Sequence, residues 1–208
     1  MTTEQPDLAS IPFPAEEIER LPERAAALSH AKSRGRVAEI GVYRGHFSEV
    51  ILERLQPSVF YMVDRWTLAG ETFGWRSEYD GFGALTTKLA KDDSIRRASR
   101  FRGSSIHIVE ADAVDFAREA KRQKVRLDMV YLDTDHRYEP TLQQLVALQD
   151  IVADDGVIIG DDWEPDPAHP HHAVFQAVND FLKVSDFDLV TAGQAKQYCL
   201  RRRPPVGG

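Results

Sequence analysis

The sequence contains little cysteine, no long apolar run and no excess of positive charge. Its one cysteine, Cys199, excludes a disulfide framework within the chain and fits a reducing compartment. No window approaches the ~20 apolar residues that span a bilayer, and the first residues lack the basic start and apolar core of a signal peptide. We therefore expect a soluble, cytoplasmic protein without a membrane partner.

The formal net charge of −7 argues against binding to a nucleic-acid backbone. Two segments, 91–102 and 200–205, are locally basic. A solvated helix face and a polar tail explain them, and recognition of an anionic substrate group is the alternative. With 42% hydrophobic and 28% charged residues among 208, the composition is that of a globular chain large enough for one domain.

Five short runs rich in valine and isoleucine predict strands that are buried on both faces. They lie at 36–42, 58–64, 105–112, 126–133 and 155–162. Segments with helical spacing separate them, and two further strand-like runs joined by a turn with Gly193 predict a C-terminal hairpin. The predicted fold is α/β: a Rossmann-like, seven-stranded, mostly parallel sheet with an antiparallel C-terminal hairpin and helices on both faces.

The chain divides into a helical extension at 1–34 and a main domain at 35–208. Within this domain, residues 65–83 have no clean period and are rich in glycine and aromatic residues. So long an irregular segment in a compact domain predicts a lid or substrate loop. An ordered surface excursion with Trp66 and Trp75 packed against the domain is the alternative.

Glycines and acids follow three successive predicted strands, at the edge where open parallel sheets bind ligands. The pattern Glu39-x-Gly41-x-x-x-Gly45 follows the first strand. Gly41 allows a ligand to approach the backbone, and Gly45 opens a helix whose N-terminus favours a carboxylate. Asp64 is placed to accept hydrogen bonds from ribose hydroxyls, and Asp112 from the exocyclic amine of an adenine. Helix capping also explains the glycine pattern, whose spacing differs from that of dinucleotide-binding proteins.

Acidic residues also follow the fourth and fifth predicted strands, namely Asp133 and the pair Asp161–Asp162. Because neighbouring strands lie about 4.8 Å apart, these carboxylates must converge. Without a counter-charge, such crowding raises at least one carboxyl pKa. A hard divalent cation, Mg²⁺ or Mn²⁺, removes the difficulty. The alternative is helix capping by Asp133 or Asp135, with Asp161–Asp162 as a polar turn.

His136 lies three residues past Asp133, on the same edge. We predict that it accepts the proton of a hydroxyl made more acidic by the cation, so His136 and Asp133 are the catalytic candidates. A second source of imidazole is the segment 167–172, which contains His169, His171 and His172.

With these motifs, residues 36–202 resemble class I S-adenosylmethionine-dependent methyltransferases. The resemblance makes 35–208 the S-adenosylmethionine-binding domain. It implies that Glu39, Gly41 and Gly45 surround the methionine part of the cofactor, that Asp64 binds its ribose, and that Asp112 with Ala113 binds its adenine. Trp66 would flank the purine or the substrate, with core packing as an equal alternative.

The segments "LDMVYLDTDHRYE" and "GVIIGDDW" resemble metal-dependent O-methyltransferases of the macrolide-sugar type and, more distantly, of the catechol and caffeoyl-CoA type. By position, Asp133, Asp161 and Asp162 match their metal ligands, and His136 matches the proposed base of the macrolide-sugar enzymes. The catechol group has Asp-Asn where this chain has Asp161–Asp162. Cephalosporin-hydroxylase-like proteins carry a similar motif, so the motif does not fix the reaction.

The resulting hypothesis is an S-adenosylmethionine-dependent, Mg²⁺- or Mn²⁺-assisted O-methyltransferase. Its partner is a hydroxylated small molecule, either a sugar or polyol of a secondary metabolite or a phenol, and no nucleic acid. A hydroxylase-like enzyme of the same fold and a non-catalytic cofactor-binding protein are the alternatives. The acceptor, the regiochemistry, the choice of ion and the oligomeric state, including a homo-oligomer, stay open.

Overall fold

A seven-stranded sheet forms the centre of the computed structural model, which describes Leu8, residues 11–74 and residues 78–203. Its strands are β1 (Arg36–Ile40), β2 (Val59–Asp64), β3 (Ser105–Glu110), β4 (Leu127–Leu132), β5 (Val152–Gly160), β6 (Phe187–Ala192) and β7 (Tyr198–Arg202). They are arranged in the order β3-β2-β1-β4-β5-β7-β6, in which β7 is antiparallel to both of its neighbours and all other pairs are parallel. The predicted fold class is confirmed, including the antiparallel C-terminal hairpin.

Helices cover both faces of this sheet. They are α1 (Ala15–Arg24), α2 (His46–Leu55), α3 (Thr87–Ala98), α4 (Ala113–Arg122), α5 (Tyr138–Leu148) and α6 (His172–Val184). Along β4, Val130 belongs to the core formed with α4, α5 and α6, whereas Met129 and Tyr131 belong to the core formed with α2 and α3. Both faces of the strand are therefore buried, which explains its unbroken apolar sequence.

Several strand boundaries differ from the prediction by up to three residues, and β1 and β5 show the causes. β1 ends at Ile40, because Gly41 adopts a positive φ of 89° and starts a turn. β5 begins at Val152, ahead of the expected residue 155, and its pairing with β4 shifts register between Leu127 and Met129. Among the described residues, no helix combines the length and apolar character needed to cross a membrane.

The predicted loop at 65–83 contains a short 3₁₀ helix, Trp66–Ala69, and a series of turns. The hydroxyl of Tyr79 donates a hydrogen bond to Glu17 of α1 at 2.8 Å, so the loop is attached to that helix. Trp75 is one of residues 75–77, which lie outside the described residues.

Candidate active site at the carboxyl ends of the strands

The backbone conformation after β1 favours glycine at two positions, Gly41 and Gly45, because both have a positive φ. Gly41 has a φ of 89°, and a Cβ added there would lie 1.6 Å from the carbonyl oxygen of Asp133. Its N–H donates to the carbonyl of Val63 at 2.9 Å, which ties the turn to β2. Gly45 has a φ of 77° and directly precedes α2. The chain therefore passes close to the end of β4 and then presents the N-terminus of α2 to the same edge.

The Asp64 carboxylate holds this turn in place. It accepts hydrogen bonds from the backbone N–H groups of Val42 at 2.8 Å, Tyr43 at 2.7 Å and Trp66 at 3.0 Å. Two carboxylate oxygens offer about four acceptor sites, so one site stays available for a ligand hydroxyl. Asp64 thus organises the loop whether or not it also binds ribose.

Glu39 is a buried acid at the end of β1. Removal from water raises its pKa to about 8, although the hydroxyl of Ser48 donates a hydrogen bond to it and opposes the rise. The positive charge of Arg24 also opposes the rise in pKa but does not outweigh burial, so Glu39 keeps its proton at neutral pH.

Two side chains predicted to contact the cofactor, those of Trp66 and Asp112, form hydrogen bonds with the protein backbone. The Trp66 side chain is buried, and its Nε1 donates to the carbonyl of Tyr43 at 2.9 Å, so the structure places this ring in the core. Asp112 accepts a hydrogen bond from the N–H of Val114 at 2.9 Å and caps α4, whose first residue is Ala113.

Asp133, Asp161 and Asp162 converge at the ends of β4 and β5. Parallel pairing of Leu132 with Gly160 brings the residues that follow them side by side. One oxygen from each of the three carboxylates lies within 4.8 Å of the others. Asp135 is not part of this cluster, since it pairs with Arg137 and accepts that residue's N–H at 2.9 Å.

A buried arginine from α1 reaches into this acidic cluster. Nη2 of Arg24 lies 2.6 Å from Oδ2 of Asp133 and 3.2 Å from Oδ2 of Asp161, and it also donates to the hydroxyl of Tyr131 at 2.7 Å. Arg20, one turn earlier, lies 3.6 Å from Oδ1 of Asp161. Arg24 and Arg20 therefore supply part of the positive charge that we expected from a metal ion.

The pKa values in the cluster differ with these partners. Burial raises the pKa of Asp161 and the adjacent carboxylates add to the rise, while Arg24 opposes it. For Asp162, burial acts in the same direction, but contact with His136 and His171 outweighs it and lowers the pKa. The pKa values of these two neighbouring acids, which follow β5, thus shift in opposite directions.

Two histidines flank Asp162. Nδ1 of His136 lies 2.5 Å from Oδ2, and Nδ1 of His171 lies 2.9 Å from Oδ1, with the ring centroids 4.4 Å apart. Burial disfavours the charged ring of His136, but Asp162 outweighs this and raises its pKa to about 9. His169 and His172 have other partners: the N–H of His171 and the carbonyl of Glu164.

The fold and this edge define a class I S-adenosylmethionine-dependent methyltransferase. A family model described as "Methyltransferase domain" matches residues 38–163, more than half of the chain. The chain belongs to this methyltransferase domain family. No sequence of a curated protein matches it.

Solved structures share the fold at low sequence identity. A protein from Clostridium thermocellum assigned as an rRNA methylase has a TM-score of 0.61 and 12% identity, with 88% of this chain and 97% of that chain covered. A protein from Nostoc punctiforme assigned as an O-methyltransferase has a TM-score of 0.56 and 15% identity, with 90% and 57% covered. SMU.776, assigned as a methyltransferase and solved in complex with SAH, has a TM-score of 0.54 and 11% identity, with 86% and 48% covered. These similarities concern the fold, and the proteins are assigned to different kinds of methyl transfer.

Proposed function

We propose that this methyltransferase transfers the methyl group of S-adenosylmethionine to a hydroxyl of a small molecule, with help from a divalent cation. The observation that carries the proposal is the convergence of Asp133, Asp161 and Asp162 beside His136. A cation site and a proton acceptor at one strand edge suit transfer to oxygen, because a hydroxyl must lose its proton as it is methylated.

The cofactor would lie along the ends of β1, β2 and β3. Gly41 and Gly45 allow the turn that brings the start of α2 to this edge, and the N–H groups of that helix favour the cofactor's carboxylate. Glu39 would lose its proton when the cofactor's ammonium group lies nearby, because an opposite charge favours the ionised form. Asp64 would use its remaining acceptor capacity for ribose, and Asp112 with Ala113 would border the adenine.

The three carboxylates fit a hard divalent cation by type and by proximity. Arg24 occupies the Asp133 and Asp161 oxygens that face α1, so its guanidinium would have to yield or share them. When bound, Mg²⁺ or Mn²⁺ orients the acceptor oxygen and makes its hydroxyl more acidic. The pairing of Asp161 with Gln197 and with the N–H of Asp162 keeps that carboxylate oriented in the meantime.

His136 is the proton acceptor in this proposal. Its Nδ1 faces Asp162, so Nε2 is the nitrogen left for the acceptor hydroxyl. A positive charge brought near the ring, from the cofactor's sulfonium or a cation, lowers the pKa that Asp162 raises and frees this nitrogen. Asp162 then stabilises the imidazolium that forms as the methyl group is transferred.

The acceptor in this proposal is a small, hydroxyl-rich molecule such as a sugar or polyol, with a phenol as the second choice. A polar recess beside the cluster, with room for about one water molecule, supplies hydrogen-bonding groups there. Besides the acids and His136, its walls include the side chains of Thr134, Thr141, Gln144, Val174 and Tyr198. Thr134 donates to the amide oxygen of Gln144 at 2.6 Å, so the amide nitrogen is directed elsewhere. The net charge of −7 disfavours an RNA acceptor, which the rRNA methylase similarity would suggest.

The test combines labelled S-adenosylmethionine with a panel of sugars, polyols, catechols and RNA, with Mg²⁺ or with EDTA. We expect transfer to a hydroxylated small molecule that EDTA abolishes and Mg²⁺ restores. The variant His136→Gln should lower kcat by roughly 10²–10⁴ with unchanged cofactor affinity by calorimetry. The matched control is His107→Gln on β3, whose ring stacks on Tyr61 far from the cluster in the sheet order. Transfer to RNA alone would overturn the proposal.

A second candidate is O-methyl transfer without a metal. It is favoured by the contact of Arg24 with both Asp133 and Asp161, which already provides positive charge in the cluster. In that case transfer persists in EDTA and depends on Arg24 as well as on His136.

A further inference from the structure

The surroundings of Asp162 differ from those of the other two acids. Its two carboxylate oxygens each face a different imidazole, at 2.5 Å from Nδ1 of His136 and 2.9 Å from Nδ1 of His171. Ligand atoms of these three residues lie within 4.8 Å of one another. We propose that His136, Asp162 and His171 form a binding site for a borderline transition-metal ion such as Zn²⁺ or Co²⁺, which shares Asp162 with the three-carboxylate site and takes its other two ligands from histidines.

Hydrogen bonding does not account for the two ring nitrogens. Both Nδ1 atoms are shielded from solvent, yet neither makes a contact with hydrogen-bond geometry among the described residues. Buried polar atoms nearly always have a partner, and the described partner of both nitrogens is the Asp162 carboxylate. A metal ion shared by the two lone pairs and that carboxylate would satisfy all three groups.

The distances suit a single ion. Ligand atoms about 2 Å from a common Zn²⁺ lie no more than about 4 Å apart, so small side-chain rotations close the remaining gap. Two imidazoles and one carboxylate also leave a coordination position for water or a fourth ligand.

The ligand set selects the kind of ion. Imidazole nitrogen suits Zn²⁺, Co²⁺ and their neighbours, whereas Mg²⁺ prefers oxygen ligands. Charge points the same way: Arg24 and Arg20 pair with Asp133 and Asp161, while the ion-pair partners of Asp162 in the described part of the chain are the two histidines. The acid on the histidine side of the cluster thus has no arginine or lysine partner among the described residues.

The three ligands come from separate segments whose backbones are fixed. Asp162 has a positive φ of 64°, unusual for a residue with a side chain, and its N–H donates to Oδ1 of Asp161 at 2.9 Å. His171 directly precedes α6, and its N–H donates to Nδ1 of His169 at 3.1 Å. His136 lies between β4 and α5. Such unusual backbone conformations concentrate at ligand sites.

Occupation of this site would inhibit methyl transfer, a consequence that rests on the proposed function. An ion on Nδ1 of His136 leaves the proton of the neutral ring on Nε2, and that nitrogen then cannot accept the proton of the acceptor hydroxyl. Zn²⁺ would therefore oppose the reaction that Mg²⁺ assists.

Binding is tested with the full chain, stripped of metal by a chelator and titrated with Co²⁺, with visible absorption as the readout for coordinated cobalt. We expect saturable binding by the wild-type chain and a loss of at least about tenfold in affinity for His171→Gln. His172→Gln is the matched control, because that ring bonds to the Glu164 carbonyl and stacks on Phe175. Equal Co²⁺ affinity and spectra for wild type and His171→Gln, both folded by circular dichroism, would overturn the site, as would no binding at all.

A separate arm adds Zn²⁺ to the methyl-transfer assay and compares each protein with and without the ion. We expect inhibition of the wild type and of His172→Gln, and resistance of His171→Gln. Cobalt binding without zinc inhibition would contradict the role of His136 as proton acceptor and support the metal site alone. Methyl transfer without cobalt binding would overturn the metal site alone.

Discussion

Nη2 of Arg24 lies 2.6 Å from Oδ2 of Asp133, so the last residue of α1 forms an ion pair with the first residue after β4. The same nitrogen is 3.2 Å from Oδ2 of Asp161. Because Arg24 is buried, this positive charge belongs to the interior of the acidic cluster. A divalent cation that bridged Asp133 and Asp161 would compete with it.

Replacing Arg24 by methionine should leave buried acids without a partner. We expect Arg24→Met to lower the free energy of unfolding by about 3–5 kcal/mol in chelator, measured by urea denaturation. Added Mg²⁺ should stabilise this variant more than the wild type, since the cation replaces the missing charge. Arg118→Met, which removes an exposed pair with Asp115, is the control and should change little. Equal stability of Arg24→Met and wild type in chelator would contradict a buried ion pair.

Part of the loss of stability at low pH should come from Asp93 of α3, a fully buried acid. Nε of Arg44 donates to it at 2.8 Å and Nη2 of Arg96 at 2.6 Å. Burial opposes the charge of Asp93, but these hydrogen bonds outweigh it and hold its pKa below the ordinary value. The folded chain therefore gains stability from this group above about pH 4 and loses it as the pH falls through the lowered pKa.

We expect Asp93→Asn to lower the Tm most above pH 5, with a difference from the wild type that shrinks towards pH 3. The adjacent Asp92→Asn, which removes an exposed pair with Lys88, should show no such trend. A difference that stays constant over this range would show that Asp93 does not contribute through its charge.

Glu39 should have the opposite dependence on pH. Its pKa rises to about 8 in the folded chain, whereas an unfolded glutamate titrates near pH 4.3. Between these values the unfolded chain ionises and the folded chain does not, so the wild type loses stability as the pH rises from about 4.3 to 8. Without cofactor, the Tm of Glu39→Gln relative to wild type should therefore increase from pH 5 to pH 8.

Glu53→Gln, at an exposed position of α2, is the control for a general effect of removing a negative charge. Glu39→Gln should also bind S-adenosylmethionine more weakly by calorimetry, because it cannot become negative beside the cofactor's ammonium group. Parallel Tm curves for Glu39→Gln and the wild type would mean that Glu39 is ionised throughout.

Alanine substitutions at Gly41 and Gly70 should distinguish the cost of backbone strain from the cost of a steric clash. Both have a positive φ, of 89° and 110°, but an added Cβ meets the Asp133 carbonyl at Gly41 and nothing within 4 Å at Gly70. Gly70→Ala should lose only about 1–3 kcal/mol of stability, from strain. Gly41→Ala should lose more than about 4 kcal/mol, because the end of β4 must move. Similar losses in urea denaturation would contradict the close approach of the two loops.

The central strands β1 and β4 were predictable because they are buried on both sides. Burial on both faces was wrong for β3, an edge strand whose residues are partly exposed. Consecutive apolar residues such as those of β4 are needed when alternate side chains enter two different cores. The ends of strands were less predictable: β5 starts at Val152, where register with β4 shifts, and the charged residues Asp154 and Asp155 conceal its first part.

The acidic cluster followed from strand adjacency, but its cationic partner did not. Arg24 lies more than a hundred positions from Asp133, and its sequence neighbours read as an ordinary amphipathic helix. From the sequence, the three histidines of the segment 167–172 were equivalent candidates. In the structure, His171 directly precedes α6 and lies beside Asp162. Contacts made between distant segments have no local pattern, so only the folded chain reveals them.

Glu17 and Arg24 of α1 contact different parts of the molecule. Glu17 accepts a hydrogen bond from the hydroxyl of Tyr79, and Arg24 forms an ion pair with Asp133. They are seven positions apart, close to two helical turns, and so project from a common side. Deleting a single residue between them would rotate one against the other by about 100°, and only one attachment would survive. The spacing within this helix is therefore as constrained as the identity of either side chain, even though neither the loop nor the acids lie near it in sequence.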